Sequence, residues 1–322
     1  MKVCMMVEGQ ESVTWEQWVA LARACELFGL AGLFRSDHYL SVEDPPFGIY
    51  ADDTRSSLDA WCTLSALAAV TERITLGTLV SPATFRHPSV LAKSFVTADE
   101  ISGGRVEVAL GAGWWEREHA AYGFDFPPLR TRMEILGEQL EIVRRSWGEE
   151  PFSFAGEHYR TAELDARPKP GRPWLIVGGE AGPKGSALAA RWADEYNVNL
   201  VDLDECSRRR ARIVAAWDAA GRDPASVRFS LMTGALVAGD RQTLRARAAE
   251  LARLWRREID AEDLIAELSS SWFVGTPDEV IPKLRQYAEL GVDRVMLQHH
   301  LHWDLDSIEL IGNEVVPAVA DA

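Results

Sequence analysis

The chain has 322 residues, 47% of them hydrophobic and 26% charged, which is enough apolar material for a large core and excludes a disordered body. With 34 Lys and Arg against 49 Asp and Glu the formal charge is −15, a balance that repels nucleic acid phosphates and anionic membrane surfaces and argues against both as partners. No apolar run nears a membrane span, the segment Val3 to Val7 meets Glu8 and Gly9 too soon for a secretory signal, and Cys4, Cys25, Cys62 and Cys206 lie far apart, so a cytoplasmic protein with reduced thiols is expected.

Short β-rich runs alternate with amphipathic helical stretches. Strands are predicted from Lys2 to Val7, Gly32 to Arg35, Ile74 to Val80, Val106 to Leu110, Trp174 to Val177, Tyr196 to Leu200, Val227 to Val237 and Val292 to Gln298. Between them, Thr14 with Gln17 and Thr131 with Glu134 have the spacing of capping boxes. Thr276-Pro277-Asp278-Glu279 adds an N-cap, a first-turn proline and two first-turn acids, and a last helix is predicted from Asp306 to Val319.

Strands separated throughout by helices imply parallel pairing and right-handed crossovers, and eight such units predict an α/β fold of the TIM (β/α)8-barrel type. A plain barrel takes about 250 residues, which leaves roughly 70 for insertions. These are expected after strand four, from Trp114 to Arg130, and after strand seven, from Asp240 to Phe273. No Ser/Gly/Pro linker divides the chain, so residues 1–322 are expected to form a single domain.

Residues at the strand C-termini are the candidates for chemistry, because barrel active sites lie on that face. Asp37-His38 ranks first: a carboxylate beside an imidazole can set its tautomer and move its proton affinity, although a rim cap and a satisfied histidine fit the same residues. Glu8 ends the first strand and Glu116 follows the fourth, which makes both candidate acids. Gly111-Ala112-Gly113 lets backbone approach a flat ligand or simply turns the chain. Gly178-Gly179 opens a loop through Gly182-Pro183-Lys184 into a helix, where backbone N–H groups, the helix dipole and Lys184 could converge on a phosphate. His300 and His302 have the alternate spacing of a ligand pair, but no further ligands of suitable spacing accompany them and no metal is expected. Nucleophile elbows, P-loops and Rossmann glycine patterns are absent.

Taken in order, the motifs resemble the luciferase-like monooxygenase superfamily, and within it the branch of oxidoreductases that use the deazaflavin coenzyme F420. They are Arg35-Ser36-Asp37-His38, Ile74 through Pro82, Thr84-Phe85-Arg86-His87-Pro88, Ile101-Ser102-Gly103-Gly104-Arg105, Leu110 through His119 with Tyr122-Gly123, Ile176-Val177-Gly178-Gly179 and Phe273-Val274-Gly275-Thr276-Pro277. The resemblance implies a barrel with the tricyclic ring in its mouth, resting on a third-strand bulge with a non-prolyl cis peptide, which matches Leu79-Val80. It implies that Asp37 and His38 lie beside the ring, and that Ala112, Gly113, Gly178 and Gly179 supply backbone contacts to the ring or its phosphate-bearing tail.

The chemistry so implied is hydride transfer with a small organic substrate. His38 would handle the accompanying proton, Asp37 would orient it, and Glu8 and Glu116 would be second-rank acids. An alternative within the same fold is an FMN-dependent monooxygenase served by a separate reductase; a flavin-binding protein without turnover is a more distant one. Trp114, Trp115, Tyr122, Phe124 and Phe126 could form a lid, pack the loop on itself or make a dimer interface. Many members of the branch carry Asn where Trp115 stands, so a polar contact is missing or replaced here. A homodimer is expected, because related barrels often pair.

Overall fold

The run Lys2–Val7 forms the first strand, β1, and all but its first residue are buried, because both of its faces are covered. Cys4 and Met6 point into one apolar cluster and Val3, Met5 and Val7 into another, the period of two expected of a strand. The same division repeats along the chain in the computed structural model, which describes residues 1–42 and 56–321. Strands β2 (Gly32–Arg35), β3 (Thr75–Thr78), β4 (Val106–Gly111), β5 (Leu175–Gly178), β6 (Glu195–Asn199), β7 (Arg228–Val237) and β8 (Arg294–Gln298) complete a parallel barrel. Closure is direct: Met5 lies between Leu33 of β2 and Leu297 of β8, and β7 pairs with both β6 and β8. Phe34, Ala109, Ile176, Met232 and Met296 fill the lumen with Cys4 and Met6, while the larger cluster joins the outer strand faces to the helices. At the N-terminal end of β8, buried Arg294 binds Glu107 (2.5 Å) and Glu195 (2.8 Å).

The helices are α1 (Trp15–Leu27), α2 (Ala60–Val70), α3 (Pro88–Ser102), α4 (Glu116–Tyr122), α5 (Leu129–Trp147), α6 (Pro183–Trp192), α7 (Leu203–Ala219), α8 (Arg241–Leu254), α9 (Ala261–Leu268) and α10 (Pro277–Glu289). Thr14 and Gln17 close a capping box at α1, and Thr276 with Glu279 closes another at α10. Thr131 and Glu134 do not. Helix α5 starts at Leu129, two residues before Thr131, which leaves Thr131 inside the first turn, and Glu134 pairs instead with Arg130 and Lys184. The last helix is not continuous. Leu305–Leu310 passes through a wide π turn at Ile311–Val315 before Val316–Val319, because Pro317 has no N–H to give to the carbonyl four residues back.

Both expected insertions are present at the strand C-termini. The one after β4 holds α4. The one after β7 holds α8 and α9 around their own apolar cluster, and ends in Phe273–Gly275, which adds beside β7. Two further excursions were not expected. A hairpin, Phe152–Ala155 with Arg160–Leu164, lies between α5 and β5, its turn held by the Glu138 carboxylate on the N–H groups of residues 157–159. The connection from β2 to α2 is also long, and residues 43–55 of it lie outside the described residues.

The predicted third strand is shorter than expected. After Thr78 the chain leaves the sheet through a cis peptide between Leu79 and Val80, at the position the family resemblance implied, then rejoins it with Ser81 opposite Leu110 and Pro82 opposite Gly111.

Candidate active site

The site is assembled from the ends of β1, β2 and β4 and from the break in β3. Past β2, Asp37 and His38 turn to different partners. Asp37 is fully buried and accepts from Ser81 Oγ at 2.6 Å and from both arms of the Arg86 guanidinium at 2.5 and 3.1 Å. Arg86 also reaches Asp59 at 2.7 Å and the Tyr39 hydroxyl at 2.8 Å. A carboxylate held by these bonds fixes the loop; it makes no hydrogen bond to the imidazole and acts on it only through its charge. The expectation that Asp37 orients His38 is therefore corrected.

The orienting carboxylate is Glu118, in the first turn of α4 and 80 residues away in sequence. Its Oε2 lies 2.8 Å from His38 Nδ1, and its Oε1 receives the backbone N–H groups of Tyr39 and, at 3.1 Å, Leu40. An ionised carboxylate only accepts, so the Nδ1 proton belongs to the imidazole and Nε2 is the nitrogen left for a reactant. Nε2 has no partner among the described residues. Burial disfavours the charged ring, but the Glu118 hydrogen bond and the charges of Glu118, Glu8 and Asp37 outweigh it and hold the His38 pKa above the ordinary histidine value. Two indoles stand edge to face with the ring: Trp114 at 5.8 Å and 80°, Trp115 at 6.0 Å and 77°, the pair stacked on each other at 22°.

Glu8 is buried at the end of β1 and accepts from Gln10 Nε2 at 2.8 Å and from Gln298 Nε2. Gln10 in turn accepts from Ser36 Oγ at 2.5 Å, and Ser36 accepts from the Gly9 N–H at 2.9 Å. Glu116 does not join this group. It is exposed on the first turn of α4, while Glu118, two residues on, turns inward.

The glycines divide by what fills the space beside them. A Cβ on Gly111 would sit 2.7 Å from one methyl of Val80, and a Cβ on Gly178 would sit 2.7 Å from the other. Val80 thus lies across β4 and β5, and these two glycines are required by packing. Gly113 has φ 77°, the left-handed region, and a Cβ there would meet Thr84 Oγ1 at 2.9 Å. That hydroxyl donates to His119 Nε2 at 2.6 Å while His119 Nδ1 donates to the Trp115 carbonyl at 2.7 Å, so His119 is a buried structural residue that fixes the Trp115 backbone. Gly179 donates to the Asn197 carbonyl, and Ala181 donates to the Tyr196 hydroxyl at 2.8 Å. Helix α6 begins at Gly182 with no side-chain cap, as an anion site requires, but Lys184 leans away to the Arg130 carbonyl (3.3 Å) and Glu134 (3.4 Å). The convergence of Lys184 on that terminus is corrected accordingly.

The expected lid splits in two. Trp114 and Trp115 face His38, whereas Tyr122 and Phe124 pack on Tyr39, and Phe126 packs on His119. His300 stacks on Trp272 at 4.8 Å with both ring nitrogens enclosed and without hydrogen-bond partners among the described residues. All four cysteines are free thiols.

A closed (β/α)8 barrel with a carboxylate-aligned imidazole and a backbone-lined apolar shelf at its strand C-termini has the organisation of a barrel enzyme. The chain belongs to the luciferase-like monooxygenase family, whose profile matches residues 3–294. It is 29% identical over 283 residues to the F420-dependent hydroxymycolic acid dehydrogenase of Mycobacterium tuberculosis, covering 84% of this chain and 75% of that protein. It is 28% identical over 318 residues to the F420-dependent glucose-6-phosphate dehydrogenase of Nakamurella multipartita, covering 92% and 90%. Among solved structures, an F420-dependent secondary alcohol dehydrogenase in complex with an F420-acetone adduct superposes with a TM-score of 0.80 at 21% identity, over 99% of both chains. The oxygenating constituent of 3,6-diketocamphane monooxygenase from Pseudomonas putida, in complex with FMN, superposes with a TM-score of 0.77 at 18% identity, over 98% of both chains. These likenesses establish the fold.

Proposed function

We propose that the protein is an F420-dependent oxidoreductase that moves a hydride between the deazaflavin and a small organic substrate. The observation that carries this reading is the His38–Glu118 pair, with Nε2 open, beside a shelf made by Val80 on Gly111 and Gly178. The relatives named above as F420-dependent, which align over most of the chain, support the choice of cofactor.

The residues present suit such a group. Val80 and the bare backbone of β4 and β5 offer a flat apolar floor for a ring. The uncapped start of α6, after Gly178, Gly179 and Gly182, offers backbone donors to an anionic tail. When bound, the deazaflavin would accept or supply the hydride. The chain's own part is the proton: Glu118 holds His38 with Nδ1 protonated, and Nε2 takes the proton of a substrate hydroxyl or returns it to a carbonyl oxygen. Asp37 and Arg86 hold the loop that carries His38, and Glu8, fixed by Gln10 and Gln298, adds negative charge that favours the imidazolium. Ala112 and Gly113 lie next to this ring site, and Glu116 has no part in the proton path.

The test is a fluorescence titration of the purified protein with coenzyme F420 and, separately, with FMN. Saturable binding of F420 in preference to FMN is expected; a preference for FMN would replace this reading with oxygen chemistry fed by a partner reductase. We also read the chain as one domain that works as a homodimer in the cytoplasm. No helix among the described residues is long and apolar enough to cross a membrane. A monomer mass in light scattering would refute the dimer.

A further inference from the structure

Three segments meet around His38, and each carries two polar side chains close together in sequence. The end of β2 supplies Asp37 and His38, the loop after the break in β3 supplies Thr84 and Arg86, and α4 supplies Glu118 and His119. Each pair of segments is joined by a short polar link. Asp37 takes both arms of Arg86 at 2.5 and 3.1 Å, Thr84 Oγ1 meets His119 Nε2 at 2.6 Å, and Glu118 Oε2 meets His38 Nδ1 at 2.8 Å. The links close a triangle with His38 at one corner.

Two of the three segments are anchored from outside it. The end of β2 continues a barrel strand, and buried Gln139 of α5 holds the loop after β3 by donating to the carbonyls of Ala83 at 3.0 Å and Arg86 at 2.9 Å. Helix α4 has seven residues and no side-chain cap at its start, too little to hold a place by its own hydrogen bonds. Aromatic contacts press it against the other two: Phe85 packs on His119 and Phe124, and Tyr39 packs on Tyr122 and Phe124, with ring centres 5.0 to 6.0 Å apart. Ring packing tolerates sliding, whereas a hydrogen bond to a buried ring nitrogen fixes distance and direction. His119 is such a ring, and its Nδ1 donates to the Trp115 carbonyl at 2.7 Å, so the Thr84 hydroxyl sets the imidazole and the imidazole sets the start of α4. The chain keeps the passage clear: a Cβ on Gly113 would lie 2.9 Å from Thr84 Oγ1 and 3.5 Å from His119 Nε2.

We propose that Thr84 and His119 are positioning residues for the proton chemistry, their hydrogen bond aligning α4 so that Glu118 holds His38 in one tautomer with Nε2 free for the reactant. This rests on the reading of His38 as the proton carrier.

Nitrogen NMR of isotope-labelled histidines, on the protein free of cofactor and above the pH at which His38 titrates, reads the tautomer directly. The unaltered protein is expected to hold His38 in the Nδ1-protonated form alone. Thr84→Val keeps the shape of the side chain and removes the hydroxyl. It should give a mixture of both tautomers and move the His38 titration to lower pH, as the support of Glu118 weakens. Thr84→Ser keeps the hydroxyl and should preserve both properties of the unaltered protein. Thr84→Ala also removes the hydroxyl, without setting a methyl group against His119, and should behave as Thr84→Val, so poor folding of one variant leaves the other to decide. A loss of stability with tautomer and titration unchanged in Thr84→Val and Thr84→Ala would overturn the proposal, as would a Thr84→Ser variant that behaves like them. A mixture in the unaltered protein would remove the His38–Glu118 pair, and with it both the positioning role and the proton chemistry proposed above. Binding of FMN in preference to F420 would change the cofactor and leave these outcomes as they stand.

Discussion

At the end of β2, His38 gives one nitrogen to a carboxylate and leaves the other open. At the end of β8, His300 lies flat on Trp272 with both nitrogens enclosed. The electrostatics follow the contacts. Glu118 raises the His38 pKa against the effect of burial, whereas burial, with the neighbouring charges of His299 and His302, pushes His300 down to about 3. Neither position in the barrel nor exposure separates the two residues, since both sit on strand ends and both are largely enclosed. What separates them is whether a carboxylate was placed to receive the Nδ1 proton.

The largest effect expected in testing this contrast is on stability. Arg86→Met leaves Asp37 buried and uncompensated, and should lower the unfolding free energy in urea by about 3 kcal/mol. A loss under about 1 kcal/mol would mean that the pair is far better solvated than its burial implies. Next comes activity: His38→Asn should cut kcat by roughly 100-fold or more while the F420 dissociation constant changes little, as expected for a group that moves a proton. His300→Phe in the same assay should retain kcat within about threefold, the span of a distant packing change. Equal losses in the two variants would erase the distinction drawn here.

Gly178→Ala should destabilise by about 1 to 3 kcal/mol, because the new methyl group must displace Val80. Glu118→Gln removes the charge that supports the imidazolium, so the pH limb of kcat assigned to His38 should move to lower pH, in either reaction direction. A limb that stays in place would remove Glu118 from the proton chemistry.

The smallest effect concerns acid stability. The folded pKa of His300 lies below its unfolded value near 6.5, so its contribution is complete above that value and is lost as pH falls toward about 3. His299, pushed down to about 4 by burial against the pull of Asp304, adds to the same slope. His300→Phe should therefore flatten, without abolishing, the fall of Tm between about pH 6.5 and pH 4. His38 has the opposite sign: its raised pKa contributes stability below about 6.5 that is lost as pH rises through the folded value.

The barrel was legible because its strands are continuous apolar runs bounded by turn residues, as strands covered on both faces must be. The hairpin after α5 was not, because its residues are mostly exposed and a carboxylate from another element, Glu138, holds its turn. At the site, adjacency misled. Asp37 and His38 are neighbours in sequence, but their side chains go to different partners. Glu118 stood in the recognised motif, yet nothing local distinguishes its inward turn from the outward turn of Glu116. The π turn near the C-terminus had a visible cause in Pro317, although helical periodicity masked it.

One carboxylate of the α4 insertion serves an imidazole and two backbone N–H groups of another loop at once. Detachment of α4 would free the His38 ring and the backbone of Tyr39 and Leu40 in a single event, with the barrel still intact. Amide hydrogen exchange at Tyr39 and Leu40 therefore reports how often the insertion opens, and a ligand that slows that exchange is one that holds the insertion closed.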